Sequence, residues 1–523
     1  MVRSPGYVGA VIAAVAERHD APATIFESRS RTWSETLDRA ARIAGGLRAM
    51  GIKPGDRVAV LSANSDDYLL LYLAIPWAGG VLAPLNNRWT PVENGFAIDD
   101  CEPRVLFVSD DLAKANGTVL AERGDRLKLV MLDKADEDED AGAITIEALL
   151  AHAPVDDAGR SGDDLLAIFY TGGTTGRSKG VMLSHAGFVR NCQTMRDVGL
   201  FPAACRALVV APLFHLAAAA AMTMAMLAGG TAVIARGFDP AGTLDLIAHD
   251  GVTDALLVPT MIQMLLDAPG FDPAKLSSVR TVMYGASPMP EATLDRIMAA
   301  APHLEYYQAY GMTEVSCTAT LLPPEYHRGD HRAAGRHRGA GMPIATTELM
   351  IADDEGRPVA AGEIGEILVR GPCVMLGYWN QPDLTAETLR DGWMHTGDGG
   401  RVDEHGVLYV ADRLKDMIVS GGENIYSAEV EGALSLHPDV AQVAVIAVPD
   451  DRWGERVHAV IVAQPGATVS EEALVAHCRE RIAGYKCPRS IEFRTALPLS
   501  AAGKIVKAEL RAKYWEGRSR NVA

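Results

Sequence analysis

Short apolar runs alternate with helical patterns through the first third of the chain. Trp33 to Met50 carries apolar residues at helical spacing and stops at Gly51, so it predicts a helix. Arg57-Val58-Ala59-Val60-Leu61 predicts a buried strand, and Val105-Leu106-Phe107-Val108 another. Between them, Asp67 to Trp77 predicts a helix closed by Gly79-Gly80. Strands alternating with helices predict a mostly parallel sheet under covering helices. The pattern resumes after residue 180. Leu208 to Ala211, Thr231 to Ile234, Ala255 to Val258 and Thr281 to Tyr284 predict strands. Past residue 340 the texture turns to short strands: Glu348 to Ile351, Gly365 to Arg370 and Val407 to Val410. That predicts a small β-rich subdomain.

Asp412-Arg413-Leu414-Lys415-Asp416 is a charged joint. Beyond it lie a helix at Ser427 to Ser435, strands at Val440 to Val448 and Val457 to Ala463, a helix at Glu471 to Ile482, and a basic tail. This unit of about 110 residues has an ordinary domain size. The expected class is α/β. A large N-terminal domain with its β-rich subdomain would span residues 1–412, and a small mobile α/β C-terminal domain residues 413–523.

Two apolar stretches change the picture little. Val8 to Ala16 lacks a clear basic leader and runs on into Glu17-Arg18, so an amphipathic first helix is expected rather than a signal peptide. Leu216 to Leu227 is stopped by Gly229-Gly230, well short of the ~20 residues of a membrane span, and predicts a buried helix. Asp133 to Gly142 holds six acidic residues in ten and predicts a solvated loop.

The 523 residues exceed what one core usually supports, and the net charge is −18. Such acidity argues against nucleic acid as a partner, and any anionic ligand must meet local positive charge. The seven scattered cysteines have no CxxC spacing. Neither a zinc site nor a disulfide framework is indicated, and a cytoplasmic location is expected.

The chemistry is concentrated in a few motifs. Thr171-Gly172-Gly173-Thr174-Thr175-Gly176 packs three glycines and three threonines into six positions, with Lys179 close behind. Glycines let backbone N–H groups converge on an anion, and hydroxyls and an ammonium add donors. The combination suits a polyphosphate, yet no Walker Gly-Lys-Ser/Thr follows. Thr281 to Tyr284 runs into Gly285-Ala286-Ser287, a turn able to face a ligand. Gln308-Ala309-Tyr310-Gly311-Met312-Thr313-Glu314 offers a ring for stacking, a hydroxyl and one carboxylate suited to Mg²⁺. Asp398, in Thr396-Gly397-Asp398-Gly399, stands at an expected turn and suits ribose hydroxyls. His215 adjoins the expected buried helix. Ser420-Gly421-Gly422-Glu423 reads as a hairpin-like turn, and Gly503-Lys504 lies near the end with Lys507 expected at the surface.

Taken in this order, the motifs resemble those of the adenylate-forming superfamily of acyl-CoA synthetases, luciferases and peptide-synthetase adenylation domains, over essentially the whole chain. Gly172 stands where that family usually has serine, and Ser178 where it has proline. The resemblance implies ATP, Mg²⁺ and coenzyme A as cofactors and a small carboxylic acid as substrate. It assigns catalysis to Lys504, Thr313, Glu314 and His215, with Glu314 as the metal ligand. It assigns nucleotide binding to residues 171–176, Lys179, Gly285, Ala286, Ser287, Gln308, Ala309, Tyr310, Gly311, Met312, Asp398, Val410 and Arg413. Lys415 matches the hinge, and Gly421, Gly422 and Glu423 the loop of the thioester step.

The implied reaction joins a carboxylic acid to CoA through an acyl-adenylate, releasing AMP and diphosphate. His215 stands where amino-acid-activating relatives carry aspartate, which disfavours amino acids. Room beside Ala217 to Ala221, with Met222, Met224, Met261 and Met264 as apolar walls, points to a medium- or long-chain fatty acid or an aryl or arylalkanoic acid. A ligase loading a carrier protein, a luciferase-like oxygenase and a non-catalytic acyl-adenylate binder are the alternatives. A homodimer is an open possibility.

Overall fold

The computed structural model describes residues 6–124, 126–133, 144–171, 178–413, 416–420, 423–500 and 504–516, with Arg413 described by its backbone alone. Four sheets organise them. An eight-stranded sheet runs Gly377–Tyr378, Lys179–Ser184, Leu165–Thr171, Val81–Pro84, Arg57–Leu61, Val105–Val108, Lys128–Met131 and Ile144–Thr145. Its strands are parallel from Leu165–Thr171 onward. Lys179–Ser184 returns antiparallel as a hairpin, and Gly377–Tyr378 adds a short edge. A nine-stranded sheet carries Thr281–Gly285 parallel to Glu305–Tyr310. Both large sheets fit the α/β expectation.

One core fills the space between them. It holds Val58, Val60 and Leu82 from one sheet and Ala207, Val209 and Ala232 from the other. The helices Asp66–Ala78 and Leu216–Leu227 run through it. Both are apolar on nearly every face, as a helix enclosed on all sides must be. Helix starts are locally encoded. Thr32 caps Trp33–Ala49 in a reciprocal capping box with Glu35, which satisfies two otherwise orphaned donors.

The short strands Glu348–Ala352, Gly365–Arg370, Trp393–Val402 and Leu408–Arg413 form the expected β-rich subdomain with a core of its own. A fourth sheet joins Ile418–Ser420, Glu423–Ile425, Val440–Asp450, Gly454–Ala463 and Ser490–Phe493, and encloses two further clusters built from residues 418–510. Asp412 links the third and fourth sheets. Its carboxylate accepts from the Ser427 backbone N–H at 2.6 Å and from the Ser427 hydroxyl, at the start of the helix Ser427–Ser435.

Two expectations fail here. Lys507 is not a surface group. Its side chain is 16% exposed, its ammonium lies 2.8 Å from Glu431, and it donates to Ser427. The four methionines also do not share a wall. Met222 and Met224 pack in the main core, Met261 belongs to another cluster, and Met264 is exposed. Among the described residues, no helix is long and apolar enough to cross a membrane.

Candidate active site

The glycine-threonine motif opens from a hairpin. Thr171 ends one strand and pairs with Lys179 at the start of the next. Gly172, Gly173, Thr174, Thr175, Gly176 and Arg177 lie outside the described residues. The base of the hairpin is tightly held. The Trp379 backbone N–H donates to Gly180 O at 2.7 Å, and a Cβ on Gly180 would come within 2.7 Å of Ile168. The Lys179 ammonium lies 5.0 Å from the centroid of the Tyr378 ring.

Thr281–Gly285 and Glu305–Tyr310 end side by side, with Gly285 opposite Ala309 and Tyr284 opposite Gln308. Ligands gather beyond the carboxyl ends of such parallel strands. A side chain on Gly285 would lie 2.2 Å from Ala309 O, so glycine is required for this approach. Ala286 then takes φ +67, a left-handed backbone uncommon outside glycine. Gly311 is equally constrained, because its Cβ would lie 2.0 Å from Cys317 O. The close contact folds Met312 into the 3-10 turn Thr313–Val315, after which Ser316 and Cys317 both have positive φ. Strain of this kind concentrates at functional turns. The turn leaves Thr313 half-buried and sets the Glu314 carboxylate in a nearly closed place, 8% exposed. The Tyr378 hydroxyl donates to Glu314 Oε1 at 2.9 Å.

Asp398 lies inside the strand Trp393–Val402 rather than at a turn. Gly397, at φ +69, is accommodated beside a register shift in the pairing with Gly365–Arg370. The Tyr310 hydroxyl donates to Asp398 Oδ2 at 2.8 Å. Arg413 is the cross-strand partner of Asp398, so the two expected ribose residues share one place in the sheet. Val410 is 39% exposed on the same strand as Arg413. Lys415, Gly421 and Gly422 lie outside the described residues. The strands flanking the glycine pair are antiparallel, with Ser420 opposite Glu423, as a hairpin requires.

His215 immediately precedes the buried helix Leu216–Leu227. Its Nε2 is buried and has no hydrogen-bond partner among the described residues. Burial, reinforced by the charges of Lys504 and Arg88, lowers its pKa to about 4, so the ring is neutral near pH 7. Lys504 is held by a local ring. Ser500 N–H donates to Lys504 O at 2.7 Å, and Lys504 N–H donates to Ser500 Oγ at 3.1 Å. The same ammonium acts on the Cys317 thiol, which burial raises to about 11 against the pull of Lys504. The charge of Lys504 is thus felt at His215 and at Cys317, which follows the turn bearing Glu314. Sequence reasoning missed Tyr378, Cys317 and Arg88, none of which carries a motif signal.

Tyr378 thus joins Glu314 to the strand that Lys179 begins, Tyr310 joins the end of its strand to Asp398, and the charge of Lys504 acts on a neutral His215. A family profile described as AMP-binding enzyme matches residues 12–379, and one described as AMP-binding enzyme C-terminal domain matches residues 429–504. The chain belongs to the AMP-binding enzymes. This AMP-binding enzyme is 40% identical to the feruloyl-CoA synthase of an Amycolatopsis species, over 92% of this chain and 94% of that protein. It is 36% identical to the fatty acid–[acyl-carrier-protein] ligase ScoC of Streptomyces coeruleorubidus, over 96% and 95% respectively. Its fold superposes on the anthranilate CoA ligase AuaEII in complex with anthranoyl-AMP with a TM-score of 0.90, at 26% identity and 98% coverage of both chains.

Mg²⁺ is general in this class, and the donors fit it. Tyr378 occupies Glu314 Oε1, while Oε2 makes no hydrogen bond among the described residues. No cluster of three or more His, Cys, Asp or Glu surrounds it there. A hard cation that keeps several waters and takes phosphate oxygens needs only one such carboxylate.

Proposed function

We propose that this AMP-binding enzyme activates an aryl or arylalkanoic acid, or a medium- or long-chain fatty acid, and transfers it to coenzyme A. The acid carboxylate attacks the α-phosphorus of ATP and releases diphosphate. The CoA thiol then attacks the acyl carbon and releases AMP. In this reading Thr171, residues 172–176 and Lys179 bind phosphates. Gly285 to Ser287, Gln308 to Met312 and Val410 line the nucleotide, and Asp398 with Arg413 holds the ribose. Glu314 would hold Mg²⁺, which supplies charge against the phosphates.

Thr313 and Lys504 stabilise charge at the reacting centre, where positioned donors count most. His215, neutral, positions the carboxylate. The C-terminal domain begins at residue 413 and turns about Lys415 to exchange Lys504 for Gly421, Gly422 and Glu423. Such exchange is a hinge motion. Seven free thiols accord with a cytoplasmic setting.

The observation that carries the proposal is the setting of Glu314 against Tyr378, just past the paired ends of Thr281–Gly285 and Glu305–Tyr310; the charge of Lys504 acting on His215 accords with it. The aryl part of the reading draws on the likeness to the feruloyl-CoA synthase, and on the small side chains Ala217, Ala309 and Cys317 packed against the core. The likeness to ScoC keeps a second reading in view, transfer to a carrier protein. The test is AMP release from ATP across aromatic and fatty acids, with CoA or with a phosphopantetheinylated carrier. Release driven by CoA supports the proposal; release driven by the carrier alone refutes it.

A further inference from the structure

We propose that Tyr378 is a positioning residue that keeps the Lys179 ammonium and the Glu314 carboxylate apart, so that each stays available to the metal-bound nucleotide. The inference rests on the reading of Glu314 as the metal-holding carboxylate. Tyr378 stands between the two charges. Its hydroxyl donates to Glu314 Oε1 at 2.9 Å, and its ring face lies 5.0 Å from Lys179 Nζ. Tyr378 is 5% exposed and Glu314 8%, so solvent does little to loosen their hydrogen bond, while Lys179 is half-buried. No Lys179–Glu314 ion pair exists among the described residues. Beside so buried a carboxylate, direct pairing of the two would be stronger than at an open surface, and each charge would be spent on the other.

The backbone makes Tyr378 a fixed spacer. Gly377 and Tyr378 pair with Met182 and Val181 on the strand that Lys179 begins. On the other side, Tyr378 N–H donates to Thr385 Oγ1 at 2.9 Å. Gly377 takes φ +140, and a Cβ there would lie 2.7 Å from Thr385 Cγ2, so the segment cannot retreat. The phenol fixes the carboxylate through one oxygen and leaves Oε2 without a hydrogen-bond partner among the described residues. The ring holds the ammonium by cation–π attraction without neutralising it. Orienting contacts of this sort tune a metal ligand without touching the metal.

Two variants separate the two contacts. Tyr378→Phe keeps the ring and removes the hydroxyl; Tyr378→Leu removes both. Calorimetry with α,β-methylene-ATP, in Mg²⁺ and in EDTA, measures metal-dependent and metal-free affinity. Tyr378→Phe is expected to lose about 10- to 100-fold of the Mg²⁺-dependent gain while its affinity in EDTA stays at wild type. Tyr378→Leu is expected to weaken in EDTA as well, because Lys179 falls onto Glu314. In a Glu314→Gln background, Tyr378→Phe should add nothing.

A Tyr378→Phe variant that binds like wild type overturns the proposal alone. So does an effect that persists in Glu314→Gln, or a Tyr378→Phe protein that no longer melts as wild type, which would make the residue structural. A wild-type affinity indifferent to Mg²⁺ overturns the reading of Glu314 and this proposal with it.

Discussion

His185, His215 and His327 all carry pKa values lowered to about 4, with burial the largest cause in each. An unfolded histidine titrates near 6.5. Between the two values the unfolded chain binds more protons than the folded one, so stability falls as pH drops from about 6.5 towards 4. Each ring contributes on the order of 3 kcal/mol to that loss. The thermal midpoint is therefore expected to be flat above pH 7 and to fall steeply by pH 4.5. A midpoint unchanged over that range would show that the rings are not buried as neutral bases. Lys504 supports a second expectation. Lys504→Ala should cut acid-dependent ATP–diphosphate exchange by about 10²- to 10³-fold or more, yet largely spare thioester formation from supplied acyl-adenylate. Removing the cation should also let the His215 pKa rise, which an NMR titration of that ring would report. Near-normal exchange in the variant would remove Lys504 from the adenylation step.

The most demanding element is the turn after Glu305–Tyr310. Gly311→Ala drives a Cβ into the Cys317 carbonyl, a backbone atom that cannot rotate away. The variant is expected to lose about 3 kcal/mol of stability or more, through overpacking and strain at one site. It should also lose nucleotide binding, because Glu314 moves with the turn. Urea unfolding and nucleotide calorimetry would check both, and wild-type values in each would mean the turn relaxes freely. Elements of this length were legible in the sequence wherever one apolar period dominated. Arg57–Leu61, Val105–Val108 and the helix Leu216–Leu227 stand where their patterns put them. Asp398 was misread because Gly397-Asp398-Gly399-Gly400 has the composition of a turn. The strand continues through it, its positive φ taken up beside a register shift against a neighbouring strand. The helix expected to reach Ile482 stops at Arg479, where Arg481 and Ile482 N–H groups turn back to Cys478 O.

At the scale of the molecule, what sequence could not disclose is partnership across distance. Nothing near Lys507 signals that Glu431 waits 2.8 Å away on another helix. Tyr378, likewise, meets Glu314 and Lys179 only because a two-residue strand docks on the strand that Lys179 begins. The motifs stand out in the sequence because their composition is local to each turn. Lys507→Ala is expected to cost about 3–5 kcal/mol, since it leaves a buried carboxylate without its counter-charge. The loss should appear in unfolding of the terminal sheet. Replacing Lys507 and Glu431 together by apolar residues should recover much of it, and failure of that rescue would assign the cost to packing.

The ammonium whose charge acts on His215 belongs to residue 504, behind every strand of all four sheets. On the proposed mechanism, a ribosome still working upstream of that codon holds a polypeptide able to seat ATP but unable to expend it. Competence then arrives abruptly, once residue 504 has followed the four sheets. A message cut between the codons for residues 413 and 504 would yield a nucleotide sink rather than a wasteful ATPase.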